Sequence, residues 1–306
     1  MAIPILHHHD PSPFAEKIRL CFGIKGLAWR SVRVSMVMPR PALSALTGGY
    51  RKIPVMQIGA DIYCDTRLIV RELERRYPAP SLFPGGSMGL SLALAAWSDR
   101  TFFDPGAGLS MGLNRSSIPS EVIDDRKSFF NFMDFDQLEQ DIPHLRTQFR
   151  AGLAIVETML EDGRAYVLGE SVSFADINAY FPIWMARGNF GDAAAMLAEW
   201  PKLRAWEHRM QSFGNGHRSE ISADAALEEA RDSHCEPSRG VDANDPLDLR
   251  EGCPVSVVPT DYGCIPVVGE LRSLDGERVV INLRSPETGA IAVHFPRLGY
   301  RVNALA

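Results

Sequence analysis

Residues 50–78 read YRKIPVMQIGADIYCDTRLIVRELERRYP, and the order of residue types in this stretch decides the fold of the first third of the chain. Two β-rich runs, 53–58 and 61–64, are separated by Gly59–Ala60, a two-residue hairpin signal. Asp65 and Thr66 then open a helical pattern that runs to about residue 76 and stops before Pro78. Ile53–Pro54 begins the first strand, and a strand holds a proline only at an edge, a first position or a bulge. A helix start carrying Asp-Thr beside such a proline suits a small zwitterionic peptide. The free N–H groups there attract a carboxylate, and the Asp65 side chain can pair with an amino group.

Upstream, PILHHH reads as a short strand, and FAEKIRLCFGIKG places Phe14, Ile18, Leu20 and Phe22 at helical spacing before Gly23 and Gly26 end it. LAWRSVRVSMV partly alternates and reads as a strand. The order strand, helix, strand, weak helix, hairpin, helix predicts a compact α/β domain over residues 1–80. After the Pro/Gly-rich PAPSLFPGG at 78–86, residues 87–232 are almost entirely helical in pattern and predict an all-α domain, with GLSLALAAWSDRTFF as a buried helix. A polar linker at 234–252 leads to a β-rich module at 253–306, where LDGER and SPETGA supply turns. About 50 residues of meander cannot bury both faces alone, so this module is expected to curl into a small barrel or pack on the helical domain.

Composition sets outer limits. Apolar content of 45% and charged content of 23% are those of an ordinary globular protein. A net charge of −6 argues against a nucleic-acid partner, and no apolar run is long enough to span a membrane. The N-terminus lacks the pattern of a secretory leader. Five widely spaced cysteines form no CxxC or Cys/His pattern, which implies no metal site and reduced thiols in a cytoplasmic protein.

Ser12, in Asp10-Pro11-Ser12-Pro13-Phe14, is placed to cap the first helix. Its hydroxyl also lies in the positive field of that helix end. One O–H donated to a thiolate there lowers the thiol's pKa and makes it a nucleophile at neutral pH. Asp65 and Thr66 have the same double reading, as helix caps or as ligands for a charged end, and spacing alone does not separate the two. His7, His8 and His9 fall on both faces of a strand and are read as packed or exposed side chains. Cys64 is read as pointing into the core.

Three motifs in order, DPSPFAEKIRL, KIPVMQIGADIYCDTRLIVRELERRYP and SFADINAY, together with WPKLRAW at 200–206, resemble the cytosolic glutathione S-transferases over roughly residues 1–218. The resemblance implies a thioredoxin-like domain followed by an all-α domain, glutathione as co-substrate, and a homodimer. It puts Ser12 against the glutathione sulfur with Phe14 beside it. Ile53, ahead of a cis Pro54, falls where the cysteinyl backbone pairs, and Asp65 and Thr66 where the γ-glutamyl end is held. Lys52 or Arg51 falls opposite the glycyl carboxylate. In SFADINAY, Ser173 and Asp176 match the family's buried capping box. Asp65 stands where the family usually has glutamate, residues 35–49 lack its NP motif, and 253–306 lie outside the resemblance.

The resulting expectation is a transferase or lyase of the detoxification type. It activates the glutathione thiolate through Ser12 against a small, apolar electrophile seated between the domains, with Phe102, Phe103, Met111 and Arg115 lining the substrate side. Two alternatives stand beside it: a non-catalytic glutathione-binding or scaffold protein acting through the C-terminal module, and a glutathione peroxidase or reductase using Cys64 or Cys21.

Overall fold

The computed structural model describes residues 2–305; Met1 and Ala306, the outer ends of the expected first and last domains, lie outside the described residues. The strands are β1 (Ile5–His8), β2 (Ala28–Arg33), β3 (Val55–Ile58), β4 (Asp61–Cys64), β5 (His217–Glu220), β6 (Pro254–Pro259), β7 (Val267–Leu274), β8 (Arg278–Ser285), β9 (Gly289–Pro296) and β10 (Tyr300–Ala304). The helices are α1 (Pro13–Ile24), α2 (Pro41–Thr47), α3 (Thr66–Arg76), α4 (Met88–Trp97), α5 (Phe103–Leu113), α6 (Ser120–Phe129), α7 (Leu138–Met159), α8 (Phe174–Asn189), α9 (Ala193–Ala198), α10 (Pro201–Ser212) and α11 (Ala223–Asp232).

The chain divides into two compact units. One gathers the stretch ending at Asp10, Ala28–Glu72, and everything from His217 onward; the other gathers Pro11–Leu27 and Leu73–Gly216. These boundaries differ from the expected 1–80, 87–232 and 253–306. Residues 217–232, expected in the helical domain, form β5 and α11 of the sheet unit. The physical reason is pairing: β5 lies parallel to β2, with Trp29 opposite Arg218, and Ala226 and Ala230 of α11 are fully buried in the sheet unit's apolar clusters.

In the sheet unit all strands form one ten-stranded sheet in the order β10-β6-β7-β8-β9-β4-β3-β1-β2-β5. The β3–β4 hairpin turns at Gly59–Ala60 as the sequence predicts, with Gly59 at a positive φ of 59°. The C-terminal module is not a separate barrel, and α2 and α11 of the same unit pack on it through Leu43, Leu46 and Ala230. It continues the N-terminal sheet through parallel pairing of β4 with β9, in the register Asp61–Ala292, Ile62–Val293 and Tyr63–His294. Asp275 bonds the amides of Glu277 and Arg278, forming the turn between β7 and β8 that LDGER signals. A single apolar cluster runs from Leu43, Leu46, Val55 and Ile62 to Val257, Leu271, Ile281 and Phe295, so both ends of the chain bury one core.

Polar contacts fix the same seam. Asp61 Oδ1 lies 2.8 Å from His294 Nε2, Asp61 Oδ2 accepts from the Glu236 amide at 2.8 Å, and the His294 ring stacks on Tyr63 with centroids 4.4 Å apart. Segment 234–252, read from sequence as a linker, is therefore anchored at its start.

In the helical unit, α1 is buried on nearly every face. Lys17 is fully buried, pairs with Asp99 at 2.7 Å, and has the rings of Phe14, Phe174 and Phe181 within 5.5 Å of its ammonium. α4 is less buried than its apolar sequence suggests. It turns only the small Ser91 and Ala95 fully inward and leaves Leu90 65% exposed. A wide π-type turn over Ser98–Phe102 follows and sends Phe102 into the core. The capping box of α8 is formed: Asp176 accepts from the amides of Ser173 and Val167, the Ser173 hydroxyl and the Trp206 indole, all within 2.9 Å. Burial pushes the Asp176 carboxyl above its ordinary value despite these four bonds. Replacing Asp176 by alanine strands four buried donors, so Asp176→Ala is expected to cost about 3 kcal/mol, read as a fall in the denaturant midpoint with the slope unchanged.

Candidate functional site

The candidate residues of the sheet unit cluster at the N-terminal end of β3 and the C-terminal end of β4. The Ile53–Pro54 bond is cis, and Ile53 packs half-buried against the main apolar cluster. Thr66 is the buried first residue of α3. Asp65, just before it, sits at φ 75°, in the left-handed region, where aspartate is tolerated better than most residues. That backbone turn lets its side chain reach forward. Asp65 Oδ1 accepts from the Arg67 amide at 2.9 Å and from Arg67 Nε at 3.1 Å, and Oδ2 accepts from Arg67 Nη2 at 3.0 Å. Burial alone would raise the Asp65 carboxyl, but the Arg67 charge and hydrogen bonds, with the charge of Lys52, outweigh it and hold it at about 2. Asp65 is therefore a carboxylate throughout the physiological range.

The C-terminal module reaches both ends of this cluster. The Tyr300 hydroxyl donates to Asp65 Oδ2 at 3.2 Å and shares a 2.7 Å hydrogen bond with Tyr50. Burial, together with the neighbouring Asp65, raises both phenols well above their ordinary value, so they stay neutral. At the other end Lys52 forms an ion pair with Asp261, and its ammonium lies 4.4 Å from the ring centre of Tyr262. Arg51, the alternative cation, is buried, and its carbonyl accepts from Arg40 Nη1 at 2.8 Å.

In the helical unit Ser12 caps α1 as the sequence predicts. Its Oγ accepts from the Ala15 amide at 3.1 Å, and its carbonyl accepts from Glu16 at 3.1 Å. An oxygen that accepts from the backbone keeps its own proton to donate. Phe14 packs edge-on against Phe103, centroids 4.8 Å apart, and against Phe181 at 5.0 Å, so the structure brings two of the candidate aromatics together. Phe102 is not with them. It is fully buried between Trp97 and Phe149 and over Gly152, where an added Cβ would lie 2.3 Å from its ring. Met111 is half-buried on α5, and Arg115 binds the Phe135 carbonyl at 2.6 Å and lies 4.0 Å from Glu139.

Two family models match the chain: glutathione S-transferase, N-terminal domain, over residues 6–81, and glutathione S-transferase, C-terminal domain, over 127–209. A GST-like protein of Pseudomonas syringae is 33% identical, with a TM-score of 0.82, and the match covers all of both chains. The chain belongs to the glutathione S-transferase superfamily. A glutathione S-transferase U4 of Arabidopsis thaliana is 22% identical over 200 residues, which cover 64% of this chain and 78% of the plant protein. A glutathione S-transferase of Methylobacterium radiotolerans, solved with glutathione sulfonate, shares the fold at 17% identity and a TM-score of 0.51, over 71% of this chain and 97% of its own. The full-length match to the Pseudomonas protein includes β6–β10, so the C-terminal module is not peculiar to this chain.

Membership in this superfamily supports glutathione-dependent transferase chemistry in general. The cysteines give no support to a thiol-redox reading: burial pushes Cys21 up to about 12 and Cys64 well above its ordinary value, so neither is a thiolate at neutral pH. Sequence reasoning missed Asp261, Tyr262 and Tyr300, since no local pattern in a tail outside the resemblance signals contact with residues some 200 positions away. Among the histidines, His7 is buried against Gln57 at 2.9 Å and His8 against Ser31 at 3.1 Å, both as packed side chains.

Two measurements check this arrangement. Titration of the native protein with a thiol reagent such as DTNB should modify the exposed Cys264 first and leave Cys21 and Cys64 untouched until the chain unfolds. Burial lowers the His7 pKa from 6.5 to about 4, the Gln57 hydrogen bond opposing it only partly. The unfolded chain therefore binds the proton more readily, so His7 contributes stability above pH 6.5 that is lost as pH falls toward 4. His7→Gln should flatten that part of the stability–pH curve.

Proposed function

We propose that this chain binds glutathione, stabilises its thiolate through Ser12, and presents it to a small, apolar electrophile for substitution, addition or ether cleavage. The observation that carries the reading is the Ser12 hydroxyl, which caps α1 by accepting the Ala15 amide and retains its proton for a sulfur. A thiolate receiving that hydrogen bond near a helix N-terminus is favoured over the thiol by both the bond and the dipole. Phe14 follows Ser12 in the same motif and is held by Phe103 and Phe181. In the sheet unit, Ile53 and the cis Pro54 supply the strand end for the cysteinyl backbone, Asp65 and Thr66 take the γ-glutamyl end, and Lys52 takes the glycyl end. The Methylobacterium protein's complex with glutathione sulfonate supports a glutathione-sized ligand on this fold. Phe103, Met111 and Arg115 are proposed for the electrophile side. Phe102 is proposed there only indirectly, as the packed support beneath α5. A cytoplasmic homodimer engaged in detoxification completes the proposal.

A second reading has one observation in its favour. Lys52 and Asp65 already have partners from the C-terminal module, as expected of a chain that keeps the fold but binds glutathione weakly and does not turn over. Ser12→Ala tests the catalytic reading. With glutathione bound, the ultraviolet thiolate band should disappear at neutral pH and conjugation should slow on the order of tenfold, about one pKa unit of lost stabilisation. Ser12→Thr, which keeps the hydroxyl, should retain most of both. Binding by the wild type without a thiolate band or any conjugation would favour the second reading.

A further inference from the structure

We infer that Asp261 sets which thiol peptides this site accepts, because it occupies at Lys52 the position that a ligand's terminal carboxylate would take. The inference rests on the reading that Lys52 meets the glycyl end of a glutathione-type ligand. Lys52 precedes β3 and its side chain is 13% exposed; Asp261, in the loop between β6 and β7, is 36% exposed. The pair is covered on one side by Tyr262, so the lysine's charge is met by an anion and an aromatic face of the same loop. A carboxylate arriving at Lys52 must displace Asp261 or sit beside it, and like charges at such a distance repel.

The module treats the two ends of the site differently. At Lys52 it supplies a full negative charge. At Asp65 it supplies the neutral hydroxyl of Tyr300, which adds a hydrogen bond and no competing cation. The module therefore opposes a γ-glutamyl-cysteinyl ligand only at its carboxyl terminus, while the cation already on Asp65, Arg67, comes from α3 of the N-terminal segment. The ligand class that avoids this is a γ-glutamyl thiol whose terminal carboxylate is blocked as an amide or ester. Discrimination of this kind comes from placing an unfavourable charge against the rejected ligand rather than from a new attraction to the preferred one.

The experiment is calorimetric titration of the full chain with glutathione and with its glycyl amide, for the wild type and for Asp261→Asn. Asparagine preserves size at a partly exposed loop position, and melting temperature and circular dichroism check that the fold is kept. The wild type is expected to bind the amide at least as tightly as the acid. Asp261→Asn is expected to shift the acid-to-amide affinity ratio toward the acid on the order of tenfold. Recovery of acid binding in the variant where the wild type shows none supports the inference equally. A wild type that clearly prefers the acid overturns it without recourse to any variant, and so does a variant whose ratio is unmoved. Failure of both proteins to bind either peptide is a different result: it overturns the glutathione reading itself, and the inference with it.

Discussion

The sheet has no free edge where a thioredoxin-like core would otherwise end. The four N-terminal strands, in the order β4-β3-β1-β2, are closed on one side by β5 and on the other by β9, both drawn from beyond residue 216. An open strand edge is a row of unpaired amides and carbonyls that invites association with other chains, and covering it is one of the standard ways proteins remove that hazard. The β4–β9 pairing carries the larger consequence. It turns β4 from an edge into an interior strand, and it joins two halves of one apolar core.

What holds that pairing is partly general and partly specific. Val293 opposite Ile62, with Phe295 buried two residues on, gives burial that is indifferent to exact partners. Asp61 is not indifferent. Its two carboxylate oxygens are divided between His294 on β9 and the Glu236 amide in the segment leading to the module, so one side chain fixes both the register and the approach of the chain. A slip by one residue would turn His294 away from Asp61 and send every apolar side chain of β9 to the opposite face. The register therefore fixes where the β6–β7 loop and β10 come to lie. Asp261 and Tyr300 reach Lys52 and Asp65 because β4 and β9 are in this register and no other.

The parts of this fold that could be read in the sequence are those whose cause is local. Gly59–Ala60 makes a hairpin because two residues suffice to turn it, Asp275 makes the β7–β8 turn with its own neighbours, and Ser12 and Ser173 cap helices through amides three residues away. The misreadings share the opposite property. β5, HRSE, is short, polar and largely exposed, and nothing in its composition marks it as a strand until β2 is beside it. The tail was legible as strands but not as a continuation of the first sheet, because pairing partners separated by some 230 residues leave no trace in periodicity. α4 looked buried because it is apolar. Yet its small residues face inward, so hydrophobic content without the pattern of contacts was misleading there.

The same division explains the candidate residues of each unit. Ser12, Pro54, Asp65 and Thr66 stand in short motifs whose backbone roles are set within a few residues, so their identities were readable from the chain alone. The charges that bear on them were not. Asp65 is held as a carboxylate by Arg67, two residues on, but its remaining oxygen valence is met by Tyr300, and the charge of Lys52 is met by Asp261. Motif residues say where a ligand's functional groups can be recognised. The strength and selectivity of that recognition depend on what else competes for the same lone pairs and protons. In this chain the competitors come from the far end of the sequence, delivered by a strand pairing. The C-terminal module is therefore part of the electrostatics around the candidate residues Lys52 and Asp65 as well as of their support.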